Sequence, residues 1–474
     1  MNWVLFIPET VLSLVIAAAL VWSIFGKPLE SIVFRFFAIA SSLILVGVCI
    51  YSTPNSGTLF HGTYRVDFFS QIVKIALSLC LLASAFFSNE SSFIEEDKRP
   101  EHFFFLCAST FGLMMMASAA DILTLYIAME LSSYSLYTLT GFGRNKRSAE
   151  AGTKYLLFGA ATSGFLLWGF SLMTGLAGST SLTIVAQKMP LLMAEPAFVL
   201  ALLFVSFSFL FKLSGFPMHF WAPDTYESAS TPVTGFIATA SKVAAVAILI
   251  RIFQWIGIPP AFVSILGALA FISMTLGNCV ALVQKDVKRL LAYSSIAQAG
   301  YILVGLLSGT FEGYSSALFY GLAYGLMNAA AFMVVIYVAK VIHHDNPQVS
   351  HFDGLAERSP FLALILLLSL LSLAGIPPLI GFTGKWILFS AAMNQGHWFL
   401  VLWGVLNSVV SLFYYLTLVK HAYLEKPKDS NLIVLPLHMK LVGFFFLIGL
   451  VGVGFYPDAL IGWTRDAIRL SFLF

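Results

Sequence analysis

Apolar residues run along this chain in blocks close to the length of a bilayer crossing, separated by short polar breaks. The runs fall at residues 3–25, 31–51, 67–88, 102–119, 121–142, 153–177, 196–216, 232–256, 259–283, 290–308, 313–342, 360–392, 396–420 and 437–456. A hydrocarbon core takes about 20 residues of α-helix at 1.5 Å rise each. The pattern therefore predicts an all-α polytopic membrane protein of about 14 transmembrane helices. The gaps are short, so the helices form one bundle with no soluble domain. The natural divisions are residues 1–101, with the first three helices, two five-helix segments at 102–256 and 259–420, and a last helix with a short tail at 437–474.

Composition agrees with this reading. Of 474 residues, 59% are hydrophobic and only 10% charged, and mean hydropathy is +0.89. A soluble protein needs roughly a quarter of its residues charged to cover itself in water. The net charge of +3 is too small and too scattered to point to nucleic acid. Cys49, Cys80, Cys107 and Cys279 lie far apart within apolar segments and read as small core residues. The first run lacks a basic leader and contains Glu9, which suits a retained helix rather than a cleaved signal.

Loop charges orient the bundle. Alternate loops carry Lys27; Lys98 and Arg99; Arg144, Lys146 and Arg147; Lys285, Lys288 and Arg289; Lys340 and Arg358; and Lys426 and Lys428. The opposite set holds only Arg65, Lys188, Arg465 and Arg469. Basic loops stay in the cytoplasm, so both termini are expected on the periplasmic side.

Charges inside the runs carry the chemistry. A lone ionised side chain at mid-bilayer costs several kcal/mol and is a functional candidate by default. Glu130, Lys212, Lys242 and Lys385 stand in such positions, and Lys154 lies near the start of its helix. The plainer readings are snorkelling to an interface, which suits Lys154 best, and an inert buried Glu–Lys pair. Lys74, Arg35 and Arg251 read as structural. Burial weakens a lysine's hold on its proton and a nearby carboxylate restores it, so moving a carboxylate switches the charge. Glu130 and Lys212 are expected to meet across two helices.

Helix breakers accompany these lysines. Gly215 and Pro217 follow Lys212, while Gly375, Pro377, Pro378, Gly381 and Gly384 precede Lys385. Freed backbone groups at membrane depth are tolerated only inside protein or beside a wet cavity, and paired interruptions mark transport sites in inverted-repeat folds. Two discontinuous helices are thus predicted, each fourth in its five-helix segment. An odd number of helices per segment makes the second inverted relative to the first. Residues including Ser132, Tyr134, Ser295, Gln298, Tyr301, Tyr320 and Tyr324 supply hydroxyls and amides between the charges.

The run KLSGFPMHFWAPDTYESASTPVTGFIATASK from Lys212 to Lys242, with ELSSYSLY from Glu130 and GIPPLIGFTGK ending at Lys385, resembles the N-subunit family of proton-pumping NADH:quinone oxidoreductase (complex I). It is similar more broadly to the antiporter-like subunits shared with Mrp-type cation/proton antiporters. The long motif is highly specific, and the resemblance extends from the first helix to about residue 456. It implies two inverted five-helix repeats and proton translocation by Glu130, Lys212, Lys242 and Lys385, with Lys154 matching a further lysine on the sixth helix. Lys242 stands where the largest relative usually has histidine, and Lys385 where the middle one usually has glutamate. The chain departs mildly from the family in the loop YESAS. The resemblance also implies a bacterial inner-membrane location. Its partners would be an adjacent antiporter-like subunit and small helical subunits toward the quinone site, with FMN, iron–sulfur clusters and quinone held in other subunits. No cofactor is expected in this chain, which has no iron–sulfur cysteine spacing. Machines with other electron donors have similar subunits, so the donor stays open. The alternatives are a Mrp-type antiporter subunit and a membrane scaffold with inert ion pairs.

Overall fold

The computed structural model describes residues 3–26, 31–143, 146–193, 195–427 and 432–472. Of the basic loop positions, Lys27, Arg144 and Lys428 lie outside the described residues. Nearly everything described is helical. The first apolar runs form α1 (Ile7–Phe25), α2 (Ser31–Tyr51) and α3 (Phe68–Glu90). Next come α4 (Arg99–Ser118), α5 (Ile122–Thr140), α6 (Lys146–Ala177), α7 (Leu182–Leu192), α8 (Pro196–Leu213), α9 (Trp221–Ser228), α10 (Thr231–Phe236) and α11 (Lys242–Ile256). The second half holds α12 (Pro260–Ala281), α13 (Val287–Leu306), α14 (Phe311–Ile342), α15 (Leu355–Arg358), α16 (Pro360–Ala374), α17 (Ile380–Asn394) and α18 (Trp398–Tyr423). The chain closes with α19 (Leu437–Phe455) and α20 (Asp458–Phe472).

Every apolar run read from the sequence is occupied by a helix or by the halves of a broken one. By length and composition, 10 described helical stretches can cross a membrane; the chain is a multi-pass membrane protein. Helices α4, α5 and α13 are not among these; they carry more polar residues, most of them buried, among them Ser109, Thr110, Glu130, Ser132, Ser294 and Gln298. Outer faces are apolar instead: Phe36, Leu43, Trp398, Phe413, Phe444 and Phe445 are each more than half exposed, a surface that only hydrocarbon solvates favourably.

Local chemistry sets the ends. Asp67 caps α3, accepting from Ser70 N at 2.9 Å while Ser70 Oγ accepts from Asp67 N at 3.0 Å. Asp121 caps α5 through Leu123 N, and Asp286 caps α13 through Arg289 N, each at 2.9 Å. The predicted breaks are present. Helix α8 stops where Ser214 turns left-handed (φ 61°), and α16 where Gly375 does (φ 89°); the glycine pays no steric penalty there. Each break contains a cis peptide bond, Phe216–Pro217 and Pro377–Pro378. Between α10 and α11, residues Ile237–Ser241 widen into a π-helical turn, and Thr231–Ile256 runs as one rod at the centre of the bundle, buried except at Trp255.

Elements too short or too amphipathic for a span-length pattern escaped the sequence reading. They are α7, the terminal α20, and an antiparallel hairpin pairing β1 (Gly57–Leu59) with β2 (Tyr64–Val66). The cysteine reading holds for Cys49 and Cys107, which are buried, whereas Cys279 is exposed.

Candidate functional site

Lys212 sits in the last turn of α8 with only 2% exposure. Its Nζ donates to Ser132 Oγ on α5 at 3.3 Å, and Ser132 Oγ lies 3.2 Å from Ser109 Oγ on α4. Glu130, also buried, accepts a hydrogen bond from Ser163 Oγ on α6. The Glu130 charge lies close enough to act on the Lys212 ammonium, but the two groups have separate hydrogen-bond partners and the direct pairing expected from the sequence is not formed. The reason lies in helix geometry: Glu130 and Ser132 are two residues apart, which turns them to nearly opposite sides of α5. The serine faces Lys212 and the glutamate faces α6.

Lys242 follows the π-helical turn at 1% exposure. Its ammonium donates to the carbonyl of Lys212 at 3.1 Å and to Ser214 Oγ, and lies 5.1 Å from the centre of the Trp221 ring. Trp221 Nε1 donates to the Phe211 carbonyl at 2.9 Å. The carbonyls freed where α8 ends are thus taken up by α9 and α11.

Lys385 repeats this arrangement at the second break. From α17 its Nζ donates to the carbonyls of Leu373 and Ala374 at 3.0 and 3.1 Å and to Ser408 Oγ at 2.8 Å, with the Tyr301 ring centre 4.4 Å away. Helix α13 provides the ground between the two breaks. Gln298 Nε2 donates to the same Leu373 carbonyl at 3.1 Å while its Oε1 accepts from Tyr320. Ser294 bonds Tyr415. The hydroxyls of Tyr226 and Tyr324 both turn toward Ser295, and that of Ser241 is buried without a protein partner. Orphaned polar atoms of this kind are satisfied by ordered water.

Two candidate residues are partly or largely exposed, Lys154 in keeping with the snorkelling reading that suited it best. Lys154 is not in the buried line; its side chain is 43% exposed and pairs with Glu150 and Asp224, each at 3.0 Å. Tyr134 is exposed as well and lines no interior. Other charged groups emerge that were grouped with loops or set aside. Lys288 is fully buried, donating to the Ala229 carbonyl at 2.9 Å. Lys74 pairs with Glu9 at 2.8 Å, and Arg251 grips both oxygens of Asp67 at 2.6 and 2.7 Å. Each such pair joins residues remote in sequence; Glu9, Lys74 and Arg251 stand out within apolar runs, but nothing in the sequence pairs them. Burial raises the Asp67 pKa, but the Arg251 guanidinium more than offsets it and holds the carboxyl below its ordinary value. Among the described residues, no three His, Cys, Asp or Glu side chains group as metal ligands.

Comparison with known proteins matches residues 119–411 to the family described as NADH:quinone oxidoreductase/Mrp antiporter, TM. NADH-quinone oxidoreductase subunit N 2 of Syntrophobacter fumaroxidans is 42% identical over 475 residues, covering 99% of each chain. The chain belongs to the subunit N family of these antiporter-like proteins. A chain of Thermus thermophilus respiratory complex I with bound aureothin superposes at a TM-score of 0.83 with 28% identity, over 96% of this chain and 98% of that one. A chain of a Dietzia Mrp complex superposes at 0.88 over 100% and 98%, but at 18% identity it speaks for the shared fold alone. Within this subunit N frame, the motif lysines Lys212, Lys242 and Lys385 coincide with the two helix breaks.

Proposed function

We propose that this chain is the proton-translocating N subunit of a NADH:quinone oxidoreductase of the complex I type, seated in the bacterial inner membrane with both termini periplasmic. Quinone reduction in partner subunits drives it. Those partners hold the flavin, iron–sulfur and quinone chemistry, and this chain has no redox centre of its own. It contacts an adjacent antiporter-like subunit on one side and small helical subunits on the other. Protons move along Glu130, Lys212, Lys242 and Lys385 through hydroxyls and water, and Lys154 handles them near the cytoplasmic entrance with Asp224.

The observation that carries this reading is that three deeply buried lysines, two of them donating to carbonyls at helix breaks, lie along one line of polar groups. A charge moved in such a place is stabilised by oriented dipoles and not by bulk water.

The proposal includes about 14 spans with two inverted repeats. Support comes from a matching feature in each half. Asp121, the cap of α5, forms an isolated antiparallel bridge with Ser181, beyond α6; Asp286, the cap of α13, bridges Gln348, beyond α14. The hydrogen bonds correspond one for one: Ile122 N to Thr180 O and Leu182 N to Ala120 O, against Val287 N to Pro347 O and Val349 N to Lys285 O, all between 2.9 and 3.1 Å. The second bridge lies beside the basic loop holding Lys285, Lys288 and Arg289, and the first at the opposite, non-basic end, as inversion requires.

Lys212→Ala tests the reading. In native membrane vesicles energised with NADH, the variant is expected to assemble and to pump at least about tenfold more slowly. Full pumping with normal assembly returns the buried lysines to the role of structural glue. Sodium-dependent proton exchange in vesicles without any electron donor points instead to a Mrp-type antiporter subunit.

A further inference from the structure

A second group of buried titratable side chains lies outside the lysine line, at the end of the bundle where α2 and α4 finish and α3 begins. Glu9 of α1 and Lys74 of α3 pair at 2.8 Å, both side chains fully buried at 0% exposure. Tyr64 of β2 donates its hydroxyl to the same carboxylate oxygen, Glu9 Oε1, at 2.8 Å, and its ring centre lies 5.2 Å from the ammonium. Burial, then the Glu9 charge, pushes the Tyr64 hydroxyl well above its ordinary pKa, so it stays a donor. The Cys49 thiol of α2 also borders the pair.

Inert glue would leave no loose ends, because a half-satisfied buried network is worse than an apolar core. This network has several. Glu9 Oε2, Gln71 Oε1 and Ser52 Oγ are buried without a protein partner, and Ser118 Oγ has none beyond the Tyr64 hydroxyl it faces. They gather in one place: Gln71 is a turn before Lys74 on α3, its Nε2 donates to the Ser52 carbonyl at 3.0 Å, and Tyr64 bridges Ala119 next to Ser118. Four oxygens and an ammonium offer what ordered water needs. The helix that carries Lys242 reaches residues next to the cluster, Ala117 beside Ser118 and Asp67 at the start of α3. Arg251, nine residues along α11 or about 13 Å at helical rise, donates to the Ala117 carbonyl at 3.3 Å and holds Asp67 at the start of α3.

We propose that Glu9, Lys74 and Tyr64 form a proton-exchange site, hydrated through Ser52, Gln71 and Ser118, between the central lysines and the non-cytoplasmic face. The inference rests on the proton translocation proposed above. In the transfer, an N–H bond of the Lys74 ammonium breaks and an O–H bond forms on Glu9, leaving both groups neutral. The carboxyl then gives its proton to water, and Lys74 takes up another from the interior.

The test is made in the assembled complex, in vesicles energised with NADH. Lys74→Arg keeps the charge and the ion pair but cannot deprotonate. Expected are normal assembly, unchanged electron transfer with a protonophore present, and proton pumping slowed about tenfold or more. The uncharged Glu9→Gln/Lys74→Met double variant gives the same readout should arginine not fit, and a purely structural pair predicts wild-type pumping once either variant assembles. Normal pumping by Lys74→Arg or the double variant beside slow pumping by Lys212→Ala overturns this site alone. Normal pumping by all of them overturns the translocation reading and this site with it.

Discussion

A buried ammonium needs acceptors for its N–H groups, and this protein supplies them in an economical way. Sequence reasoning offered a carboxylate, Glu130, for Lys212 and no acceptor for the other lysines. Lys242 and Lys385 instead lie at the carbonyl ends of broken helices, where the macrodipole is negative and the last carbonyls lack intrahelical partners. Lys385 has three acceptors, the carbonyls of Leu373 and Ala374 and Ser408 Oγ. Ser408→Ala removes one of them, and a hydrogen bond to a charged group is worth about 1.5–3 kcal/mol. Proton transport is therefore expected to slow about tenfold or more with assembly intact, measured as initial pumping rate against electron-transfer rate. An unchanged ratio means that the hydroxyl contributes nothing to holding the ammonium. The lysines themselves were legible from the sequence, because a charge in an apolar run has few explanations. Their partners were not, since Leu373, Ala374 and Ser408 become acceptors only once α16 breaks and α18 packs beside it.

At the scale of elements, close helix approaches position the site. Ser132, which receives Lys212, lies where α4 crosses α5, and Gly112 makes that crossing possible. A Cβ on Gly112 would stand 2.6 Å from Ser132 N and 2.7 Å from Ala128 O, backbone atoms that cannot step aside. Gly277 on α12 plays the same part against α13, with Ala297 N at 2.5 Å and Tyr293 O at 2.7 Å. The two crossings are alike, and the span opposite Gly112 contains Glu130 where the span opposite Gly277 contains Ser295. Gly112→Ala is expected to cost about 1–3 kcal/mol through overpacking and to push Ser132 away from Lys212, lowering both the thermal midpoint of the purified protein and its pumping rate. Gly277→Ala should lower the midpoint similarly. A Gly112→Ala protein that melts and pumps like wild type would show that α4 and α5 have room to part. Span-length apolarity made the long helices readable, and the Gly/Pro clusters made both breaks readable. Helix α7, the hairpin and α20 were hidden because none is a run of bilayer length: α7 is short, the hairpin has three residues per strand, and α20 is half polar.

For the whole molecule, the question is what ties the first three helices to the rest. The sequence placed them as an N-terminal group but could not say how they attach, since contacts between residues far apart in the chain leave no periodic trace. The most deeply buried ion pair between these helices and the rest is Asp67, at the start of α3, gripped by Arg251 of α11 at 2.6 and 2.7 Å, with Arg65 Nε at 3.5 Å. Removing one member of such a buried pair leaves the other charge uncompensated, at a cost of about 3–5 kcal/mol. The acid dependence follows from the sign of the shift. Asp67 is held below its ordinary pKa, so the folded carboxyl stays ionised at pH values where the unfolded one, near 3.9, has begun to protonate. Its stabilisation is complete above the unfolded value and is lost as pH falls through the folded one. Asp67→Asn is therefore expected to lower the melting temperature of the detergent-solubilised protein at pH 7, followed by tryptophan fluorescence. It should also remove part of the fall that the wild type shows below about pH 4, so the two curves approach each other in acid. Curves that stay parallel from pH 7 into acid would mean that the Asp67 carboxylate is not what fastens the N-terminal helices to the central rod, and that apolar contacts between α3, α4 and α11 carry the attachment.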